Sequence, residues 1–143
     1  MPDWRITKNI PLMICLLILV VLIGGVMLLL LNQATEPDVP TPTLLTPSEA
    51  QEMMQSGEPF VLLDVREELE FLELHIPGAI LIPLGDLPTR APLELSDKGT
   101  PIIIYCRSGR RSAEAAQRLA ELGYEQVYDL GGILDWTYET TGG

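Results

Sequence analysis

Hydrophobic and polar positions follow two different rhythms along this chain. Leu12 to Leu31 is a twenty-residue run without a charge, interrupted in its large aliphatic character only by Cys15, Gly24 and Gly25. At about 1.5 Å rise per residue, a helix of that length spans the roughly 30 Å hydrocarbon core of a bilayer. Beyond Thr43, short apolar runs alternate with segments of helical spacing. Residues Phe60 to Arg66, Ala79 to Pro83, Pro101 to Tyr105 and Gln126 to Leu130 read as strands. The continuous apolar character of the second and third runs, and of the first up to its charged end, suits strands buried on both faces of a parallel sheet. Leu44-Leu45 adds a very short edge strand.

Between these runs lie the predicted helices. Thr46 is placed as an N-cap, with Pro47 at the first position and Glu49 completing a capping box. Ala50, Met53 and Met54 then face inward, and Gly57 ends the helix. Glu67 to Leu74 has helical spacing, and Asp86 to Leu95 predicts a short helix broken by Pro88 and Pro92. Ala113 to Leu122 is a strong helix-former run closed by Gly123. A final helix begins at Ile133, with Trp136 and Tyr138 as packing residues. The alternation predicts an α/β fold, a parallel sheet with helices on both faces, and about 100 residues suffice for one such core.

The chain divides on these grounds into a tail (1–11), a transmembrane signal anchor (12–31), a Pro-rich linker (32–43) and a folded domain (44–143). The apolar run is longer than the 7–15-residue core of a cleaved signal peptide. Its end, Leu31-Asn32-Gln33-Ala34, lacks the small residue wanted three positions before a cleavage site. Arg5 and Lys8 precede the run and Glu36 and Asp38 follow it, with no Lys or Arg until Arg66. The excess of positive charge on the cytoplasmic side then orients the N-terminus inward and the domain outward, periplasmic or exterior in a bacterium. Trp4 suits the headgroup level, and Pro37, Pro40 and Pro42 make the linker extended and semi-rigid.

Charge narrows the partners. The whole chain carries −11; setting aside Asp3, Arg5 and Lys8 leaves nineteen acidic and seven basic side chains, a net of −12. Nucleic acid is a poor partner for that balance, and anionic headgroups would repel it. Of the two cysteines, Cys15 lies in the apolar run and Cys106 in the domain, so they cannot readily meet. No Cys-x-x-Cys and no His/Cys cluster offers a metal site, and no cofactor is expected.

Cys106 heads the stretch Arg107-Ser108-Gly109-Arg110-Arg111-Ser112, between the 101–105 strand and the 113–122 helix. A loop curling into a helix N-terminus aims several N–H groups at one spot and holds anions there. A thiolate in that position is favoured over the thiol. Arg107, Arg110 and Arg111 add fixed positive charge that focuses a small anion. Gly109 supplies backbone freedom, and Ser108 and Ser112 supply further donors, Ser112 also as a helix cap. Asp64 and Arg66 sit at the C-terminal end of a strand, the edge where open α/β sheets bind ligands. They read either as a structural ion pair or as residues shaping the site. His75, the single histidine, reads as fixing the turn before Ile-Pro-Gly-Ala by hydrogen bonding, with a Cys–His pair as the other reading.

Tyr105 to Ser112 resembles the active loop of the rhodanese-like sulfurtransferases, Cys-x-x-Gly-x-Arg, with Cys106, Gly109 and Arg111 on the fixed positions. Leu-Leu-Asp-Val-Arg (62–66), His-Ile-Pro-Gly-Ala (75–79) and Gly-Gly-Ile…Trp (131–136) follow the order seen in single-domain relatives, so the likeness spans residues 44–139. It implies a five-stranded parallel sheet flanked by helices. It also implies that Cys106 takes sulfane sulfur from a donor such as thiosulfate, becomes a persulfide, and passes the sulfur to cyanide, a thiol or a protein acceptor. Arg111 and the loop N–H groups would then stabilise the thiolate and persulfide and bind the donor, while Arg107 and Arg110 bias donor choice. Many relatives pack a further Gly- and Pro-containing tail on the domain, so here the last helix is expected to fray.

Two other functions are weighed against that one. The cell-cycle dual-specificity phosphatases share the fold, but their loop is one residue longer; at that spacing this chain has Ser112. The tighter loop suits a single sulfur atom. A binding or sensing module that docks a protein partner with little turnover is the alternative class.

Overall fold

The computed structural model describes residues 10–31 and 39–143, which fall into two units, each taken by itself. Residues 1–9 and 32–38, with Trp4, Arg5, Lys8 and Pro37, lie outside the described residues. The first unit is one helix, α1 (Ile10–Leu31), whose described side chains from Leu12 to Leu30 are all exposed. It is long and apolar enough to cross a membrane by length and composition, a property it shares with signal sequences.

The second unit is a five-stranded, all-parallel sheet flanked by helices, in the order β1-β5-β4-β2-β3. Its strands are β1 (Thr43–Leu44), β2 (Val61–Asp64), β3 (Ile80–Leu81), β4 (Ile102–Cys106) and β5 (Val127–Gly132). Its helices are α2 (Pro47–Gln55), α3 (Glu68–Glu73), α4 (Leu87–Glu94) and α5 (Arg110–Glu121). Every residue of the central strand β4 is buried. The two-residue period of a strand sends Ile102, Ile104 and Cys106 into one core with Leu63, Leu87 and Leu119. Ile103 and Tyr105 enter the other, with Ala50, Leu62 and Trp136. The predicted capping box opens α2: Thr46 Oγ1 accepts from Glu49 N–H, and Glu49 accepts from Thr46 N–H. Buried Tyr124 ties α4 to the first core, its hydroxyl lying 2.8 Å from the carbonyl oxygens of both Ala91 and Leu95.

Four expectations need correction. The run 79–83 is a two-residue edge strand with Ile80 exposed, because only β2 pairs with it and prolines bound it at 77 and 83. Helix α4 is continuous: Pro88 falls in its first turn, where no intrahelical N–H partner is needed, and Pro92 deprives it of a single bond. Helix α5 begins at Arg110, three residues before the predicted start. The final helix is a 3₁₀ turn at Ile133–Asp135, and the residues after it are tied down. Trp136 Nε1–H donates to Glu139 O at 3.0 Å, and Thr141 and His75 exchange backbone bonds at 2.7 and 2.8 Å. Gly143 N–H donates to Leu72 O at 3.0 Å.

Candidate active site

Cys106 ends β4 and is 1% exposed. Three residues later Gly109 takes φ +101°, a left-handed conformation that favours glycine, and α5 starts at the next residue. That turn swings Gly109 N–H back to donate to Cys106 Sγ at 3.1 Å. Burial pushes the thiol pKa up, but the N–H groups of Ser112, Gly109 and Ser108 and the Ser112 hydroxyl outweigh it, so the net shift is downward.

The loop rests on β5. A register shift between Ile104 and Tyr105 sets Tyr105 beside Gly131 and Cys106 beside Gly132. A Cβ on Gly132 would lie 2.6 Å from Arg107 O and 2.7 Å from Ser108 Cα, so only glycine lets the loop lie this close. Ser112 is not a helix cap: Gly109 holds that position, and Ser112 is fully buried at the third residue of α5. Its hydroxyl lies 2.9 Å from Gly109 O and 3.2 Å from Gly131 O, pinning the loop to β5. The early helix start explains the difference, because Gly109 turns the chain before Ser112 is reached.

Arg111 pairs with Glu70 and still lies close enough to Cys106 for the two charges to couple. Its guanidinium donates from two nitrogens to both carboxylate oxygens of Glu70, each at 2.7 Å. That pairing, against the opposing effect of burial, holds the Glu70 carboxyl down at about 2. Glu70 is the site residue that sequence reasoning missed, and its separation from Arg111 by 41 positions explains why. A weak signal existed in its place among the acids of a short helix.

Asp64 and Arg66 form a buried ion pair at 2.7 Å, with side chains 0% and 5% exposed. The same Arg66 nitrogen donates to Leu74 O at 2.6 Å, and the guanidinium stands 5.6 Å from the centroid of the Tyr105 ring. Arg66 also lines a cleft of about 170 Å³ beside the loop, with Glu70, Glu73, Leu74, Arg107, Ile133 and Leu134. His75 Nδ1 lies 2.8 Å from Phe71 O, and its ring stacks on Phe71 with centroids 3.8 Å apart. Those contacts hold the turn, and His75 makes no hydrogen bond to Cys106. Arg107, Ser108 and Arg110 are exposed. Among the described residues no ion pair involves Arg107 or Arg110.

A larger cleft, about 250 Å³, lies between α2 and Trp136 and is lined by no thiol and no histidine. Among the described residues no group of three His, Cys, Asp or Glu side chains could hold a metal. The geometry beside Cys106 therefore offers a buried thiol biased toward thiolate, loop N–H donors and, among the described residues, two arginines without an ionic partner.

Known proteins similar to this chain include sulfurtransferases. The thiosulfate sulfurtransferase PspE of Escherichia coli (strain K12) is 37% identical over 73 residues, covering 51% of this chain and 70% of that one. The thiosulfate sulfurtransferase GlpE of Coxiella burnetii is 35% identical over 89 residues, covering 62% and 80%. A Bacillus subtilis relative is 41% identical over 91 residues, and there the chain spans about half (48%) of the relative's length. Among solved structures, the Alr3790 protein of Anabaena sp. superposes with a TM-score of 0.64 at 30% identity, covering 68% of this chain and 91% of that one. A rhodanese with anions from E. coli gives 0.55 at 34% identity, covering 58% and 98%. The rhodanese-like domain pattern itself matches residues 46–139. With the thiol loop, the parallel sheet and that match in agreement, the chain belongs to the rhodanese-like domain family.

Proposed function

We propose that this protein is a membrane-anchored sulfurtransferase that moves sulfane sulfur from a donor such as thiosulfate to a thiophilic acceptor. The observation that carries this reading is the Gly109 N–H aimed at Cys106 Sγ, in a loop whose net effect lowers the thiol pKa. Relatives named thiosulfate sulfurtransferases support it. The thiolate attacks the outer sulfur of thiosulfate. The donor's S–S bond breaks, its electron pair leaves on sulfite, and Cys106 becomes a persulfide. An acceptor nucleophile then takes the outer sulfur, and the pair returns to Sγ.

The three arginines divide this work. Arg107 and Arg110, exposed and without ionic partners among the described residues, meet the sulfonate end of the donor. Arg111, paired with Glu70, holds the loop instead of binding the donor directly. Asp64 and Arg66 brace the neighbouring strand end, and His75 braces the turn. Helix α1 anchors the protein with the N-terminus in the cytoplasm and the domain outside, a reading supported by its length, its exposed apolar surface and the flanking charges.

The test is a mass measurement on the intact protein after thiosulfate treatment. A gain of about 32 Da, one sulfur, erased by cyanide, is expected, and none in Cys106→Ser. Sulfur transfer to cyanide surviving in that variant would remove Cys106 as the nucleophile.

A further inference from the structure

We infer that the cleft between α2 and Trp136 is a docking site for an arginine side chain carried on a basic protein segment. The site makes no use of Cys106 and stands without the sulfurtransferase reading. Its floor is Ile76 and Trp136, both buried, and Met54 and Phe60 lie half-buried beside them against the second core. Trp136 uses its only polar group on Glu139 O, so the indole presents carbon and π surface alone to the cleft. Gln51 and the Glu139 carboxylate supply the polar lining. Among the described residues neither side chain has an ionic or hydrogen-bond partner.

Charge selects a cation. Among the described residues, Glu139 is the only charged one in the lining. No Lys or Arg occurs in residues 39–65 or 119–143, the stretches that supply α2, Phe60 and Trp136. Glu52 and Asp135, next in sequence to Gln51 and Trp136, are exposed and lack ionic partners among the described residues. His75, next to Ile76, is held by Phe71. An aromatic ring beside a carboxylate attracts a cation through both its quadrupole and the negative charge. The chain pairs cations with rings elsewhere: Arg66 and Lys98 each stand 5.6 Å from a ring centroid, those of Tyr105 and Tyr124. Among the described residues no cation covers Phe60 or Trp136.

Shape narrows the cation to a guanidinium on a chain. A guanidinium is planar, stacks on rings and donates to carboxylate and amide oxygens at once, whereas an ammonium is a strongly hydrated point charge. The cleft holds about 250 Å³, below the roughly 300–1,000 Å³ of sites that enclose a whole small ligand. One side chain fills it, and the neighbours of that side chain on a basic segment meet Glu52 and Asp135. The cleft shares no lining residue with the one beside the thiol loop, so a partner held here leaves that one open.

The test titrates peptides into the full chain in detergent, carrying Trp4→Phe so that Trp136 gives the one indole N–H signal in its nitrogen–proton spectrum. The probes are acetyl-Lys-Arg-Lys-amide, acetyl-Lys-Lys-Lys-amide of equal charge, acetyl-Lys-citrulline-Lys-amide and free argininamide. The Arg peptide should shift the Trp136 signal saturably and bind about threefold or more tighter than the all-Lys peptide. It should bind about tenfold tighter than the citrulline peptide, and tighter than argininamide. Glu139→Gln keeps the backbone carbonyl that Trp136 uses and should erase most of the margin over citrulline. Phe60→Leu keeps an apolar wall without the π face and should erase most of the margin over lysine. A smaller Arg-to-Lys ratio, affinities untouched by Glu139→Gln, or argininamide matching the peptide overturns the assignment. Alkylation of Cys106 by iodoacetamide should keep its rate with peptide bound. Protection that follows occupancy would place the peptide at the thiol loop, overturning this site while leaving the sulfurtransferase reading intact.

Discussion

At the scale of single residues, the chemistry turns on how the loop treats one sulfur. Burial of Cys106 disfavours charge, and three backbone N–H groups with one hydroxyl reverse that effect. The alkylation rate of Cys106 by iodoacetamide, followed on the Cys106 peptide to set Cys15 aside, should therefore reach half its plateau below the free-thiol value of about 8.5. Ser112→Ala removes the hydroxyl but keeps the N–H groups, so its midpoint should move up without reaching the free value. A wild-type midpoint at or above that of a free thiol would contradict the site geometry. The place of Cys106 and Gly109 in the loop was legible in the sequence, because a cysteine and a glycine between a strand and a helix need little beyond local order to be located. The Ser112 contacts were not legible, since they depend on where α5 starts and on Gly131 lying beside the loop. Glu70 was hidden for a related reason: its partner is reached only once the sheet brings α3 to the mouth of the loop.

At the scale of elements, α3 is held by polar ties in place of a buried face. None of its six residues is buried, and its anchors are the Glu70–Arg111 pair, the backbone bond from Gly143 to Leu72 and the Phe71–His75 contacts. This gives a pH signature with a definite sign. Glu70 has an ordinary value of 4.5 and about 2 in the folded protein. Between those values the unfolded chain binds the extra proton, so stability from the pair is fully present above about 4.5 and fades as pH falls toward 2. With both partners a fifth to a quarter exposed, solvent screening reduces the full linkage value to roughly 1–2 kcal/mol. Glu70→Gln should lose about that much at pH 7, and its urea midpoint should converge with the wild type's as pH approaches 2. Curves that stay parallel from pH 7 to pH 2.5 would show that the pair contributes nothing. Elements with internal evidence, such as the capped α2 and the all-apolar β4, were legible in the sequence. The length of β3, the continuity of α4 and the 3₁₀ turn after β5 were not. Each depends on a neighbour: a single pairing partner for β3, a first-turn place for Pro88, and an indole hydrogen bond at Trp136.

At the scale of the whole molecule, the strand order β1-β5-β4-β2-β3 places the thiol on the central strand. Alternating strands and helices predict a parallel sheet, but not which strands become neighbours, since that is decided by long-range crossovers. Helix α1 poses the remaining question. From Leu12 to Leu30 every described side chain is exposed, and a helix apolar on all sides is unstable in water unless something covers it. Lipid is the cover its length fits. Positive residues before the helix and acidic ones after it favour transfer of the C-terminal side across the membrane. In spheroplasts of a bacterial host making the chain, an added membrane-impermeant protease should therefore degrade residues 39–143. The protein should sediment with membranes and keep the full mass before digestion. Protection of the domain until the spheroplasts are lysed would reverse the orientation. Recovery in the soluble fraction of a chain shortened past Leu31 would identify α1 as a removed signal sequence, leaving the Cys106 chemistry outside the cytoplasm but untethered.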